Sequence, residues 1–137
     1  MVTNADNQDD SRKEKVKVFF KKTIDFTVQQ GFCPIRELLA SALDKWSLLV
    51  IYFLSYQGVL RFNELKKYIP DVSSRMLSVT LKKLEKNQIV ERKVFAEVPP
   101  RVEYRLTDFG ATFSEKLIHM SDWVVDNFDT GKNKNKK

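Results

Sequence analysis

The sequence predicts a mainly α-helical fold with one small β-hairpin. Apolar residues recur at helical spacing through most of the chain, and one segment alternates apolar and charged residues on either side of Pro99 and Pro100. Only 4 Gly and 4 Pro occur among the 137 residues, which favours long helices over a loop-rich fold. A chain of this length corresponds to one domain.

The N-terminal part of the chain carries three helical patterns. Residues 1–12 are polar and expected to be disordered, whereas apolar spacing predicts a helix over residues 13–30 that ends at Gly31. The stretch "PIRELLASAL" predicts a second helix with Pro34 in its first position. Asp44 can cap a third helix, which is apolar nearly all round and should therefore lie at the centre of the core.

Two short helices joined by a tight turn follow. Gly58 turns the chain, "VLRF" predicts a short strand, and Asn63 can cap a small helix that ends at Pro70. The next helix has Ser73 as its N-cap and ends at Asn87. One side of that helix is apolar and the other collects small hydroxyls and cations. The apolar side carries Leu77, Leu81 and Leu84.

A hairpin and a final helix complete the pattern. The stretch "IVERKVFAEVPPRVEYRL" predicts two strands joined by a bend at the two prolines. Thr107 can cap a last helix over residues 108–129, and residues 130–137 form a basic tail that we expect to be disordered. A helix pair followed by a hairpin is typical of a winged helix-turn-helix, here over residues 31–107, with an additional helix at each end.

The uneven distribution of charge indicates a polyanionic partner. Between Arg61 and Arg105 there are 11 Lys or Arg against 6 Asp or Glu, whereas the segment from Leu106 to Gly131 has one Lys against five acids. The second helix of a helix-turn-helix fits the major groove of DNA, about 12 Å wide. Small side chains allow close approach and cations meet phosphates, so double-stranded DNA is the expected partner. The alternative is a solvated basic surface.

Three stretches carry a family resemblance: "CPIRELLASALDKWSLLVIYFL", "RFNELKKYIPDVSSRMLSVTLKKLE" and "VERKVFAEVPPRVEYRLTDFG". Together they resemble the HxlR-type winged-helix transcriptional regulators, and the resemblance covers residues 33–123. It implies a dimeric bacterial regulator, here expected to be a repressor, that binds a roughly palindromic operator. Asp44 departs from the family, which often has Gly there, and Asn87 and Gln88 replace an acidic residue and Gly.

The resemblance also implies which residues contact DNA. The recognition helix provides a polar face, and Arg61 and the wing residues Lys93 and Arg101 are expected at phosphates. An alternative role for Arg61 is to pair with Glu103 or Glu91 and brace the wing. The residues expected on the recognition helix are Ser73, Ser74, Arg75, Ser78, Val79, Lys82 and Lys83.

The terminal helices are expected to hold two copies of the chain together. A single winged helix reads only a short site, and such regulators gain affinity by pairing. The two terminal helices contain more aromatic residues than one small core needs. The alternative is that these helices only cover the core of their own domain. The residues expected in a homodimer interface are Phe19, Phe20, Phe113, Leu117, Met120, Trp123 and Val124.

The single cysteine, Cys33, precedes the predicted helix start at Pro34. The positive end of a helix favours a thiolate, so Cys33 is a candidate sensor of oxidants or electrophiles. In some relatives the cysteine of this Cys-Pro pair has that role. The alternative is a small, inert, structural residue in the dimer interface. Both interpretations stay open.

Composition argues against several other classes of protein. The chain has one Cys and one His, His119, and therefore few residues from which to build a catalytic or metal site. We expect that the protein is not an enzyme and that it binds neither a metal nor a cofactor. No apolar stretch reaches the roughly 20 residues of a membrane span, and no signal peptide is evident, so a cytoplasmic location is expected. Two alternatives are a MarR-type regulator that binds a small ligand and a winged helix used for protein contact.

Overall fold

The computed structural model describes residues 4–33 and 35–128 and divides the chain into two compact units, residues 1–42 and residues 43–137. It is mostly helical with a three-stranded antiparallel sheet, which confirms the predicted fold class. The expected helix start at Pro34 and the expected disordered tail, residues 130–137, lie outside the described residues.

The N-terminal unit contains one long helix, α1, from Asn4 to Gln30. Residues 4–12 continue this helix in the structure, whereas the sequence led us to expect disorder over residues 1–12. The side chains of Lys13 and Asp9, one turn apart, form an ion pair of 2.7 Å on this polar surface, and such pairs favour helix. Gly31 ends the helix with a positive φ of 77°, as expected of glycine after a C-terminus.

The segment after α1 differs from the predicted second α-helix. A π-helical turn spans Ile35–Leu39, and one α-helical turn, α2, follows over Ala40–Ala42. The amide of Glu37 donates a 3.0 Å hydrogen bond to the carbonyl of Cys33.

The second unit is the winged core. Its sheet has the strand order β1-β3-β2, and both strand pairs are antiparallel. The elements in chain order are α3 (Lys45–Gln57), β1 (Val59–Arg61), α4 (Phe62–Tyr68), α5 (Ser74–Lys86), β2 (Val90–Phe95), β3 (Arg101–Leu106) and α6 (Asp108–Asn127).

Helix α3 lies at the centre of this unit, as its apolar sequence predicts. Val50, Ile51 and Leu54 are buried, and the side chain of Asp44 accepts a 3.0 Å hydrogen bond from the Ser47 amide at the helix start. Helix α4 begins before the expected cap Asn63: Arg61 occupies the N-cap position.

Among the described residues, none of the helices combines the length and the hydrophobicity that a membrane span requires.

The start of α6 lies directly against the end of the helix pair. Thr107 caps α6 by accepting a 2.9 Å hydrogen bond from the Gly110 amide, and its own amide donates to the carbonyl of Ile89 at 3.0 Å. Gly110 is buried, and a Cβ atom at this position would lie 2.0 Å from the Ile89 carbonyl oxygen. The close approach of these two backbones therefore requires glycine.

Candidate nucleic-acid interface

Helix α5 is held in place by its apolar side and by its first turn. Leu77, Leu81 and Leu84 are buried, as predicted. The Ser73 side chain accepts a 3.0 Å hydrogen bond from the Met76 amide, which caps the helix. In the turn between α4 and α5, the Lys66 ammonium donates to the Val72 carbonyl. The orientation of α5 is therefore set by the core and by the short turn before it.

The opposite side of α5 is open to solvent. Ser73, Ser74, Arg75, Val79 and Lys82 are exposed, and Ser78 is half-buried. Arg75 and Lys82 form no ion pair within the described part of the chain. The helix thus presents hydroxyls and two unpaired cations over a face free of large apolar side chains except Val79 and Met76.

Lys83 does not belong to that face. Its ammonium forms an ion pair with the carboxylate of Asp44, and the two side chains are 33% and 36% exposed. This contact directs Lys83 toward the start of α3, because α5 packs against α3 on that side. Lys83 therefore ties α5 to α3, and its expected contact with DNA stays a prediction.

The Asp44 carboxylate is stabilised in its ionised form. Burial raises its pKa, but hydrogen bonds from Lys83 and from the hydroxyl and amide of Ser47 outweigh burial, so the pKa lies below its ordinary value. A carboxyl whose pKa is lower in the folded chain stabilises the fold above its unfolded pKa of about 3.9 and loses this effect as the pH falls through the folded value.

Asp44→Ala is expected to lower the free energy of unfolding by about 1–2 kcal/mol at pH 7, because it removes both the N-cap and the partner of Lys83. Asp44→Asn is the matched variant: it keeps a capping side chain and should cost less than about 1 kcal/mol. Urea denaturation measures both effects. The deficit of each variant should shrink as the pH is lowered below about 4, and a deficit independent of pH would contradict the ion pair.

The wing uses Arg101 internally. Its guanidinium lies 3.2 Å from Glu97 and 3.3 Å from Glu103, and its centre is 4.0 Å from the centroid of the Phe95 ring. Phe95 and Arg101 are register partners at the tip of the hairpin, so their side chains share one face. Arg101 is thus half-buried and paired with two acids, and its expected place at a DNA phosphate stays a prediction.

A second ion pair joins the base of the wing. Arg105 Nε donates to Glu91 Oε2 at 3.0 Å, and this hydrogen bond lowers the pKa of Glu91 and raises that of Arg105. Arg61 is exposed, and the two acids considered as its partners pair with Arg101 and Arg105 instead. Lys93 is also exposed, with Nζ 5.0 Å from the centroid of the Phe95 ring.

One cation near α5 was missing from the set expected from the sequence. Arg92 is exposed and lines a groove between α5 and the wing together with Ser78 and Lys82. It is the register partner of Tyr104, which is buried, so both side chains lie on the face of the sheet toward α5. In the sequence, only strand alternation could have indicated this position, because neighbouring residues of a strand such as Arg92 and Lys93 point to opposite faces of the sheet.

The residues expected in a dimer interface divide into two groups. Leu117 is buried within its own unit, where α6 packs on α3, and its expected place in an interface between copies stays a prediction. Phe113 is half-buried, whereas Met120, Trp123 and Val124 are exposed. In α1, Phe19 and Phe20 are exposed, with ring centroids 5.7 Å apart. Cys33 is a free thiol of intermediate exposure.

The helix pair, the exposed polar face of α5 and the three-stranded wing define a winged helix-turn-helix protein. The family model "HxlR-like helix-turn-helix" matches residues 42–132. The chain belongs to this family, which confirms the resemblance found in the sequence. Members of this kind are transcriptional regulators that bind DNA, and the chain is therefore a regulator rather than an enzyme.

Individual relatives agree with this assignment. The uncharacterized HTH-type transcriptional regulator YdeP of Bacillus subtilis is 41% identical over 91 residues, which cover 66% of this chain and 70% of YdeP. The reduced form of the redox regulator HypR superposes with a TM-score of 0.64 at 38% identity, covering 70% of this chain and 94% of HypR. The reduced regulator YodB from B. subtilis gives 0.63 at 34% identity, covering 72% and 96%.

Proposed function

We propose that this regulator binds a roughly palindromic operator as a homodimer, with α5 of each copy in a major groove, and that it represses the gene beside the operator. The observation that carries the proposal is the exposed polar face of α5, with Arg75 and Lys82 unpaired above a buried row of leucines. Base edges are read from such a face, while cations around it meet phosphates.

Charge supports the same assignment. The segment from Arg61 to Arg105 carries 11 Lys or Arg against 6 acids. Three of those acids, Glu91, Glu97 and Glu103, are paired within the wing, and that pairing neutralises only Arg101 and Arg105. Apart from Lys83, which is paired with Asp44, and Lys66, which donates to the Val72 carbonyl, the remaining cations of this segment are available for the salt-dependent part of DNA affinity. Arg61 is one of them, at the start of α4.

The homodimer is proposed to use the exposed apolar side of α6. Met120, Trp123 and Val124 follow one another at helical spacing, and Phe113 extends the row toward the start of the helix. Phe19 and Phe20 of α1 are proposed to add to the same assembly, because large aromatic side chains left in water favour association. Two recognition helices would then lie roughly 34 Å apart, one turn of DNA.

Operator binding is tested on the DNA immediately beside the protein's own gene. Arg75→Ala should weaken binding by about 1–3 kcal/mol, because a side chain at the start of a recognition helix contacts base edges or phosphates. Lys22→Ala removes the same charge from α1 and should leave affinity within about twofold. Fluorescence anisotropy at fixed salt measures both. Equal affinity of the wild type for this DNA and for random duplex would contradict the proposal.

We further propose that oxidants or electrophiles acting on Cys33 release the DNA. HypR is described as a redox regulator, and one YodB structure is of the diamide-treated protein. Because this chain has one cysteine, diamide can oxidise two Cys33 thiols only by joining two chains in a disulfide, with diamide itself reduced to the hydrazine. Such a bond would alter the distance between two recognition helices.

Cys33→Ser separates sensing from a structural role. The variant should bind operator DNA as the wild type does, because serine is close in size and Cys33 is remote in sequence from α5. Diamide should release the wild type and leave the variant bound. Non-reducing electrophoresis should show a covalent dimer of the wild type alone. Equal release of both proteins by diamide would exclude Cys33 as the sensor.

A further inference from the structure

A groove of about 290 Å³ separates the recognition helix from the wing. Leu81 and Tyr104 are buried at its base, and four polar side chains surround it. The groove is open to solvent beside the exposed face of α5, so a ligand that lies along α5 also passes its mouth. The polar side chains are Ser78, Lys82, Glu85 and Arg92.

Strand alternation gives Arg92 a distinct position in the wing. Glu91, Lys93 and the charged residues of β3 point to the outer face, because they alternate with the buried Tyr104 and its register partner Arg92. Within β2 and β3, both fully described, Arg92 is the one charged residue on the face toward α5. The wing thus contributes a single cation to the groove.

The ion pairs of the wing leave Arg92 unengaged. Arg101 and Arg105 are paired with acids on the outer face. Arg92 has no ion pair among the described residues, and neither has Lys82 on the other wall of the groove. The groove is therefore lined by two cations without ion-pair partners, by the Ser78 hydroxyl and by one carboxylate, that of Glu85. The excess of positive charge around this space suits a small anion.

We propose that this groove binds one backbone phosphate of the DNA flanking the recognition helix. Arg92 and Lys82 donate to the phosphate oxygens from opposite walls, and the Ser78 hydroxyl adds a third donor. This inference rests on the proposed DNA binding and makes it more specific: Arg92, in place of Arg101, is the phosphate contact of the wing. Because a phosphate is common to all sequences, the contact adds affinity without discriminating among operators.

The test measures binding to random-sequence duplex DNA long enough for two recognition helices, as a function of salt. Arg92→Gln should lower the slope of log affinity against log salt by about 1 per protomer. Between about 50 and 200 mM salt, the variant should therefore lose roughly 3-fold less affinity per protomer than the wild type. Lys22→Gln is the control, since it removes the same charge from α1, outside the winged core, and its slope should equal that of the wild type.

Glu85→Gln provides a change of opposite sign. Removal of the Glu85 carboxylate from the groove should strengthen binding to random duplex several-fold, because a neutral glutamine side chain does not repel the phosphate. Circular dichroism and urea denaturation verify that each variant is folded like the wild type. A wild-type slope for Arg92→Gln, an equal decrease for Lys22→Gln, or weaker binding by Glu85→Gln would each overturn the inference.

Failure of DNA binding and failure of the phosphate site give different results. If the wild type shows no salt-dependent affinity for duplex DNA, the proposed function fails. If the wild type binds with a steep slope and Arg92→Gln retains that slope, DNA binding stands and the phosphate site in the groove is excluded.

Discussion

Gly110→Ala is expected to lower the free energy of unfolding of the winged core by about 3 kcal/mol or more. The added Cβ would lie 2.0 Å from the Ile89 carbonyl oxygen and 2.9 Å from its carbonyl carbon, both of them backbone atoms that no rotamer change can move. Relief requires α6 to shift away from Ile89, which breaks the 3.0 Å hydrogen bond from the Thr107 amide. Urea denaturation followed by circular dichroism measures the loss.

Gly58→Ala is the control for this prediction. Gly58 has a positive φ of 86°, but the space that a Cβ atom would occupy there is open, so alanine meets backbone strain without a clash. It should cost only about 1–2 kcal/mol. If both variants lose the same stability, the close approach of α6 to Ile89 is not what requires glycine at position 110.

Trp123→Glu is expected to dissociate the proposed homodimer and thereby abolish tight operator binding. A carboxylate placed in the proposed apolar contact between two α6 helices would be buried without a partner, which costs about 3–5 kcal/mol and raises the dimer dissociation constant more than about 100-fold. The monomer should remain folded, because Trp123 is 66% exposed and contributes little to its own core. Analytical ultracentrifugation measures the mass and anisotropy measures operator affinity.

Val125→Glu is the matched control on the same helix. Val125 is 80% exposed and lies two residues beyond Trp123, which places it on nearly the opposite side of α6. The same new side chain should therefore leave both the dimer and operator affinity unchanged. A wild-type mass for Trp123→Glu would move the interface away from that side of α6. Dissociation by both variants would indicate that charge on α6 in general, and not the apolar row, governs assembly.

The wing illustrates how neighbouring cations acquire different roles. One hairpin contains three cationic residues that cannot be distinguished by residue type alone: Arg92, Lys93 and Arg101. Alternation along β2 sends Arg92 toward α5 and Lys93 to the outer face, while the register of the hairpin places Arg101 over Phe95 and beside Glu103. The cation at the tip of the hairpin is therefore the most enclosed of the three.

The helix pair shows the same dependence on tertiary context at Lys83. Helical spacing correctly separated the leucines of α5 from its polar side, because burial of an amphipathic helix follows the 3.6-residue period. Lys83 lies at the edge of that polar side, where a long side chain reaches either solvent or the neighbouring helix. Asp44, 39 positions earlier in the chain, decided the direction by offering a carboxylate at the start of α3.

Local signals in the sequence determined most of the fold: the N-caps at Asp44, Ser73 and Thr107, the turn at Gly58, the leucine row of α5 and the hairpin all follow from short-range spacing and capping chemistry. Tertiary structure alone decided which cations remain free, because an ion pair between residues distant in sequence depends on how helices and strands pack. It also decided that Gly110 must be glycine, since the Ile89 carbonyl that approaches it lies outside α6, in the segment between α5 and β2.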